Sequence, residues 1–408
     1  MLVKLINGYL NSFKGLPKSV WLLSLVVLIN RSGMMVLFFM SLYLTKVLGY
    51  DTDTAGIILM IFGAGSFVGS YLGGWLSDKI GPEKVQFFSL LFSGFGFIYL
   101  GTIENIYLLG ASFFIVSIIS ESFRPANISM IAEVCPPALR TRGFSLNRLA
   151  INLGVSIGPA VGGVLALYSY YYLFLVDGIT CIAASVMFWF LFLRKDIKKF
   201  KTENVEVSEI KSPLKDGIFL LFLSLLFLLG VMFNQVFNTW PLYLKDVYLL
   251  SEDKIGFLLA ANALMCVLIE MPVIHRFGNR KQLRVMLFGS LMLTFGFVIL
   301  PLGSGFYFVL FTVFIWTIGE ILVFPLSSNF ISNRADDRSR GKYFGYYAIT
   351  FSMAFMLGPL FGTSVIKYLG YEYLWYIIGL FGVYEIAGFL LLSRLLAKEK
   401  KIKAAFAK

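Results

Sequence analysis

The stretch Glu121–Gly163 decides how the chain folds, and it reads ESFRPANISMIAEVCPPALRTRGFSLNRLAINLGVSIGPAVGG. It places a carboxylate and a guanidinium within an apolar segment, continues through a basic loop, and ends in a series of glycines. A weaker copy, EILVFPLSSNFISNRADDRSRGKYFGYYAITFSMAFMLGPLFG, covers Glu320–Gly362. Aligning the Arg-Gly pairs of the two copies gives an offset of 198 residues (340 minus 142), close to half of the 408-residue chain. The sequence therefore predicts two related halves.

The composition places these halves in a membrane. Hydrophobic residues make up 58% of the chain and charged residues 14%, whereas soluble domains carry roughly 25% charged residues. A membrane-spanning helix needs about 20 apolar residues. We therefore predict an all-α polytopic membrane protein with twelve spans, at 19–45, 54–77, 85–102, 106–132, 144–168, 171–193, 217–244, 255–274, 284–302, 306–331, 343–367 and 373–394. They group into two pseudo-symmetric six-helix bundles, 1–193 and 217–408, joined by a charged linker at 194–216.

The net charge of +12 is a topology signal. Of the 35 Lys and Arg residues, 28 fall on the side of the membrane that holds both termini. Four fall on the other side and three lie within spans. Short loops rich in Lys and Arg remain cytoplasmic. We therefore expect a multi-pass protein of a bacterial inner membrane with both termini in the cytoplasm, surrounded by lipid and without a nucleic-acid partner.

The sequence offers no site for a metal, a cofactor or an enzymatic reaction. The chain has one histidine and three cysteines, which are scattered without the spacing of metal ligands. No Ser, His and Asp constellation is visible, so we predict that the protein is not an enzyme. A channel would more often use a short repeated pore segment, and none is present.

Charged residues within the spans are the first functional candidates. A charge at mid-depth in the bilayer costs about 2.5–3.5 kcal/mol on insertion scales, yet Arg31, Glu121, Arg124 and Glu320 all lie within spans. Glu121 and Arg124 are three residues apart and share a helix face. Burial favours a neutral acid and a nearby guanidinium favours a carboxylate, which suits a group that loads and releases a proton. The alternative for Arg31 and for the Glu121–Arg124 pair is a permanently ionised contact that fastens two helices together.

Amide side chains supply candidates for a substrate cavity. Asn30 precedes Arg31 in span 1, span 7 carries Asn234, Gln235 and Asn238, and span 8 carries Asn262. Amides among apolar residues suit a mostly apolar site that forms hydrogen bonds. They would equally serve as hydrogen bonds between helices.

Two further acids lie within spans. We expect Asp177 in span 6 to cap a helix or contact a loop. Glu385 in span 12 is expected either to be neutral beside lipid or to be paired with a group that the sequence does not reveal.

The end of span 2 resembles a known signature. Gly65, Gly69 and Gly73 recur every four residues, a spacing that lets another helix approach closely. The following Gly74-x-Leu76-x-Asp78-Lys79-x-Gly81 is similar to the loop between helices 2 and 3 of the major facilitator superfamily. In that family the loop forms a cytoplasmic charge network that latches the outward-facing state. Pro82 and Glu83 stand here where the family pattern has basic residues.

Span 5 carries the more specific resemblance. Gly154-x-x-x-Gly158-Pro159-x-x-Gly162-Gly163 is similar to the helix-5 motif that this superfamily associates with proton antiporters, especially drug exporters. The resemblance implies a central cavity lined by spans 1, 4, 7 and 10, and two halves that rock about a midplane site.

The resemblance also implies a function. It points to a proton-coupled exporter of small amphipathic or lipophilic compounds that acts as a monomer. Glu121 and Glu320 would carry protons, and Arg31 and Arg124 would modulate them. The alternative is a proton-coupled importer of peptides or small metabolites, because Asn30-Arg31-Ser32-Gly33-Met34 has a distant similarity to the helix-1 signature of peptide symporters.

Overall fold

The computed structural model describes residues 14–194, 213–277, 282–335 and 340–406, and these residues contain helices and no strand. Each of the twelve predicted spans is occupied by helix. The helices are α1 Lys18–Ser32, α2 Val36–Leu42, α3 Thr52–Ile80, α4 Pro82–Leu100, α5 Ile106–Glu121, α6 Phe123–Val134, α7 Arg140–Tyr168, α8 Tyr171–Phe188, α9 Gly217–Asn234, α10 Thr239–Asp246, α11 Glu252–Phe277, α12 Gln282–Val298, α13 Phe306–Arg334, α14 Arg340–Leu369 and α15 Tyr371–Phe406.

Many of these helices can cross a membrane. Within the described residues, nine helical segments are long and apolar enough to do so, and the shorter helix α12 is also apolar. The predicted all-α polytopic membrane fold is therefore confirmed.

Three of the predicted spans are interrupted. Span 1 breaks at residues 33–35, between α1 and α2, and span 4 breaks at Ser122, between α5 and α6. Span 7 passes through a 3₁₀ turn at Gln235–Phe237 before α10 begins. Pro125 lies in the first turn of α6 and Pro241 in the first turn of α10, where a missing N–H costs little because first-turn N–H groups have no partner within the helix. The breaks release backbone groups that side chains can satisfy.

The chain packs into two compact units. The first comprises Met1–Asn204 together with Phe237–Val267, and the second comprises Val205–Val236 together with Leu268–Lys408, apart from the residues outside the described ranges. The division into six-helix bundles at 1–193 and 217–408 stays a prediction, and most of the predicted linker, residues 195–212, lies outside the described residues.

In the first unit, the glycines of span 2 form a close helix contact. A methyl group at Gly65 would lie 2.6 Å from the Phe114 carbonyl oxygen, and one at Gly73 would lie 2.5 Å from the Ser122 carbonyl oxygen. The Ser122 hydroxyl donates a hydrogen bond of 3.0 Å to the Gly69 carbonyl. The close helix approach that the glycine spacing predicts is therefore present, and the helix that packs there is α5.

Candidate functional site

The candidate site is built where span 1 breaks. Helix α7 presents its glycines to this break: a methyl group at Gly154 would lie 2.5 Å from the Arg31 Cβ atom, and one at Gly158 would lie 2.7 Å from the Met34 carbonyl oxygen. A methyl group at Gly162 would lie 2.8 Å from the Met35 Cβ atom. No larger residue fits these positions without a shift of backbone. The glycine spacing of span 5 therefore holds the break of span 1 in place.

Helix α8 places a carboxylate at this break. The Val36 N–H, which is no longer bonded within a helix turn, donates to Asp177 Oδ2 at 3.4 Å. Asp177 is only 4% exposed. The Cys181 thiol, one turn further along α8, lies 3.9 Å from Asp177 Oδ1 and accepts a hydrogen bond of 3.3 Å from Asn30 Nδ2. A chain of polar contacts thus runs from span 1 to α8.

A cavity of about 40 Å³ adjoins these groups. Its polar lining comes from span 1, α4, α5 and α8, and its apolar lining includes Leu37, Phe62 and Phe113. The polar members are Asn30, Arg31, Ser93, Ser120, Glu121, Asp177 and Cys181. This volume exceeds the roughly 10–15 Å³ that a cavity needs in order to hold a water molecule. A single guanidinium and two carboxylates therefore share a space with room for water and no room for a drug-sized molecule.

Arg31 has unused hydrogen-bonding capacity in this cavity. One of its terminal nitrogens donates to the Met34 sulfur at 3.4 Å, and thioether sulfur is a weak acceptor. Its Nε is buried and has no hydrogen-bond partner among the described residues. The guanidinium interacts electrostatically with Asp177. Arg31 is therefore held beside two carboxylates without a direct ion pair to either in the described part of the chain.

The structure separates Glu121 from Arg124. Glu121 lines the cavity, whereas Arg124, three residues further along the chain, is exposed. No ion pair between these two side chains occurs in the described residues, so the alternative of a permanently ionised Glu121–Arg124 contact is not formed there. Glu320 lies partly buried on α13 and is not among the residues that line the cavity. The proton-coupling roles of these four candidates stay predictions.

The amides of span 7 are buried. The Gln235 Nε2 atom donates to the Val231 carbonyl at 2.8 Å and to the Gly358 carbonyl of α14 at 3.0 Å. The Asn234 side chain packs against Gly358. The Asn238 carbonyl accepts a hydrogen bond of 2.8 Å from the Ser41 hydroxyl. For Gln235 the structure thus shows a contact between helices.

Only Asn30 among the five predicted cavity residues lines the cavity described above. Asn262 is partly buried on α11. A role of the remaining amides in substrate binding stays a prediction.

The loop signature after span 2 lies on the surface. Asp78 and Lys79 are exposed, and the Lys79 ammonium lies 4.0 Å from the centre of the Trp75 ring. Gly81 ends α3 with a φ of 91°, a conformation that favours glycine. Asp78 forms no ion pair with any described residue. The signature here ends a helix and offers exposed charge.

The second face of the span 5 glycines contacts the start of α11. Gly163 lies against the backbone of Glu252, and the Pro159 carbonyl lies against Gly256. The Glu252 carboxylate is held by Lys245 at 2.9 Å and by the Tyr170 hydroxyl at 3.1 Å. Burial and the negative charge of Glu252 raise the pKa of Tyr170, which keeps this hydroxyl a donor. We call Tyr170, Lys245 and Glu252 the Glu252 cluster.

A second ion pair, between Lys46 and Asp246, joins the end of span 1 to the end of α10. With the Glu252 cluster, it connects segments from the two halves of the sequence within one compact unit.

These features define a multi-pass membrane protein, and comparison with known proteins identifies its family. The family model of the Major Facilitator Superfamily matches residues 20–351 and 322–408. The chain belongs to this superfamily and is a transporter of that class, not an enzyme.

Its relatives are distant but match most of the chain. It is 25% identical over 395 residues to a Na⁺, Li⁺, K⁺/H⁺ antiporter from Planococcus maritimus, covering 89% of this chain and 92% of the antiporter. It is 22% identical over 323 residues to the quinolone resistance protein NorA from Staphylococcus aureus, covering 78% and 82%. Among solved structures, the POT family transporter PepTSo superposes with a TM-score of 0.75 at 16% identity, over 95% of this chain and 99% of that one. The last similarity supports the fold alone.

Asp177 is the site residue whose position the sequence analysis did not predict. It does satisfy a backbone N–H, as a capping residue would, but it does so in the interior beside Arg31 and Glu121. A signal was available, because Asp177 is an acid within the predicted span 171–193, about two turns from its outer end. Its nearness to Arg31 depends on how α8 packs against span 1, which no local pattern reveals.

Proposed function

We propose that the protein is a proton-coupled secondary active transporter that exports small amphipathic or lipophilic compounds. The observation that carries the proposal is the cavity at the break of span 1, where Arg31, Glu121 and Asp177 meet in a buried space. Intramembrane ionisable residues generally mark ion or proton pathways. Two carboxylates that share one guanidinium form a set in which one proton can be taken up or released while the net charge remains small.

The direction of transport is supported by resemblance. The span 5 glycines match the motif that the superfamily associates with proton antiporters, and two relatives are named as an antiporter and as a quinolone resistance protein. Glu121 is the leading proton carrier because it lines the cavity, with Glu320 as a second candidate. Arg31 sets the charge that the carboxylates face.

The contacts of the span 5 glycines suggest which movements accompany transport. Gly163 and Pro159 contact the start of α11, and the Glu252 cluster and the Lys46–Asp246 ion pair join segments of the two halves. In alternating access these contacts would close one end of the pathway, the non-cytoplasmic end in the predicted topology, and would open when the halves rock.

Transport in everted membrane vesicles tests this proposal. Respiration acidifies the vesicle interior, and a quenched acridine dye reports the proton gradient. If the protein exchanges protons for its substrate, ethidium added outside should accumulate inside and the dye fluorescence should recover. A symporter that imports its substrate would show neither effect.

Two further arms extend the assay. NaCl, LiCl and KCl, added in place of ethidium, test monovalent cations as substrates. Failure of ethidium and of a broad panel of other lipophilic cations to release protons would contradict the drug-export proposal.

A further inference from the structure

We propose that Asp177 is a second proton-binding carboxylate of the transport cycle, with Arg31 exchanging between Asp177 and Glu121 as the proton moves on and off. This inference rests on the proposed proton coupling. It goes beyond the four candidates above because it assigns a proton site to α8, in a span that the resemblance does not place at the central cavity.

The first argument is the burial of Asp177. Its side chain is 4% exposed, and it is the only aspartate among the buried residues that the structure describes. A buried carboxylate without a full counter-ion is costly. The group must therefore either be compensated by hydrogen bonds and Arg31 or take up a proton.

The second argument is that both protonation states have a partner. As a carboxylate, Asp177 accepts hydrogen bonds from the Val36 N–H and the Cys181 thiol and faces the Arg31 guanidinium. When a proton that arrives from the aqueous phase binds one carboxyl oxygen, the group becomes neutral and no longer attracts Arg31. The charged and titratable groups that share the cavity with it are Arg31 from α1, Glu121 from α5 and Cys181 from α8 itself.

The third argument is the state of Arg31. Its buried Nε lacks a partner in the described residues, and a terminal nitrogen is left on the sulfur of Met34. A guanidinium held in this way has donors available for either carboxylate. Protonation of Asp177 would release Arg31 towards Glu121, and protonation of Glu121 would have the opposite effect.

The fourth argument is the connection to the backbone. Asp177 binds the first N–H after the break of span 1, and the residues of that break are packed on Gly154, Gly158 and Gly162. Protonation weakens the hydrogen bond to Val36, because a neutral acid is a poorer acceptor than a carboxylate. A proton on Asp177 is thus able to alter the contact between span 1 and α7.

Infrared difference spectroscopy of the purified protein in lipid nanodiscs tests the site without any substrate. Lowering the pH should produce the carbonyl band of a buried carboxylic acid, and aspartate labelled with ¹³C at its side-chain carboxyl should shift that band. Because Asp177 is the only buried aspartate in the described residues, the labelled wild-type protein identifies it even if variants fold poorly. Asp177→Asn should remove the band, and Glu104→Gln, at an exposed acid outside the cavity, should retain it.

The vesicle assay supplies the second readout. Asp177→Asn should lower the number of protons released per ethidium accumulated, Asp177→Glu should retain part of the coupling, and Glu104→Gln should match the wild type. A role of Asp177 in structure alone would change the amount of folded protein and leave this ratio unchanged.

The outcomes separate this inference from the proposed function. One outcome is that wild-type vesicles exchange protons for ethidium while the band either does not shift with labelled aspartate or persists in Asp177→Asn. In that case the assignment of Asp177 is wrong and the exporter proposal stands. If the labelled band is present and no substrate releases protons, Asp177 titrates but the proposed coupling is wrong.

Discussion

The breaks in spans 1 and 7 lie at related positions in the two halves and are stabilised by different chemistry. At the first break, Arg31 and Asp177 bring opposite charges to a cavity, and Arg31 Nε has no partner among the described residues. At the second, Gln235 is fully buried and donates to two carbonyls. The first break packs on three glycines of α7, and the second packs on Gly358 of α14. The same architecture therefore holds a charged site in one half and a neutral, hydrogen-bonded contact in the other.

This difference suggests a division of labour. A charged group with unsatisfied donors can change partners at low cost. A buried amide whose NH₂ group already donates to two carbonyls resists change, because an unpaired polar group costs about 1–3 kcal/mol. We infer that the break in span 1 handles protons and that the break in span 7 keeps its helices together.

Substitution of the candidate proton carriers, one at a time, gives the largest expected effect on transport. Glu121→Gln should lower proton-driven ethidium transport by about a hundredfold, the scale expected when a positioned proton-transfer group is lost. Ethidium exchange without a proton gradient should persist, because the cavity remains. Glu320→Gln, outside this cavity, should have a smaller effect, measured in the same everted vesicles. Equal losses in both variants would remove the contrast between the halves.

The start of span 7 offers a pH-dependent test. Arg334 donates to both oxygens of Asp216 at 2.6 Å, and the Tyr343 hydroxyl and the Phe219 N–H donate to it as well. Burial alone would raise the pKa of Asp216, but these hydrogen bonds and the charge of Arg334 hold it below its usual value. The carboxylate therefore stabilises the fold above the unfolded pKa of about 3.9. This stabilisation is lost as the pH falls through the lower, folded pKa.

Asp216→Asn should therefore lower stability at neutral pH by about 1.5–3 kcal/mol, the value of a hydrogen bond to a charged group. Thermal unfolding in one detergent across a pH series measures this. The difference in stability between Asp216→Asn and the wild type should shrink in acid. Glu372→Gln, at an exposed acid, should have the stability of the wild type. A stability difference that does not depend on pH would contradict this role of the Asp216 carboxylate. Span 1 begins without a side-chain cap, so only the span in the second half has such a carboxylate at its start.

The glycines at the two breaks should differ in how much an added methyl group destabilises the protein. A methyl group at Gly158 meets the Met34 backbone carbonyl, whereas at Gly358 it meets the Asn234 side chain. Gly158→Ala should destabilise by about 1–3 kcal/mol, as overpacking typically does. Gly358→Ala should cost less, because the gain of about 1 kcal/mol in helix propensity offsets a contact that a side chain can relieve. A larger drop in Tm for Gly358→Ala would contradict this account.

Glu385 gives the smallest expected effect. The sequence analysis expected it beside lipid or paired, but the structure buries it completely, and neither carboxyl oxygen has a hydrogen-bond partner in the described residues. Burying an acid without a hydrogen-bond partner is costly, and an apolar residue at the same position does not carry that cost. Glu385→Leu should keep or raise Tm, whereas Gln235→Leu, which removes the bonds to the Val231 and Gly358 carbonyls, should lower it. An equal drop in Tm for the two variants would indicate a partner for Glu385 outside the described residues.

Some of this could be predicted from local pattern and some could not. Apolar run length identified the spans, and the glycine spacing of spans 2 and 5 predicted close helix contacts, because both depend on one helix at a time. Local pattern did not reveal which helix packs against each helix face. The sequence predicts that Glu121 and Arg124 act together, but Glu121 lines the cavity and Arg124 is exposed, which depends on the helices packed around span 4. The place of Asp177 beside Arg31 depends on packing across 146 residues of sequence (177 minus 31).

The ratio of protons released to ethidium accumulated, in Arg31→Gln and Gln235→Leu vesicles, tests the central claim most directly. If the break in span 1 handles protons, Arg31→Gln should lose proton-driven accumulation and keep ethidium exchange, while Gln235→Leu keeps the wild-type ratio in whatever protein folds. A normal ratio in Arg31→Gln together with a reduced ratio in Gln235→Leu would place proton coupling at the other break and contradict the account.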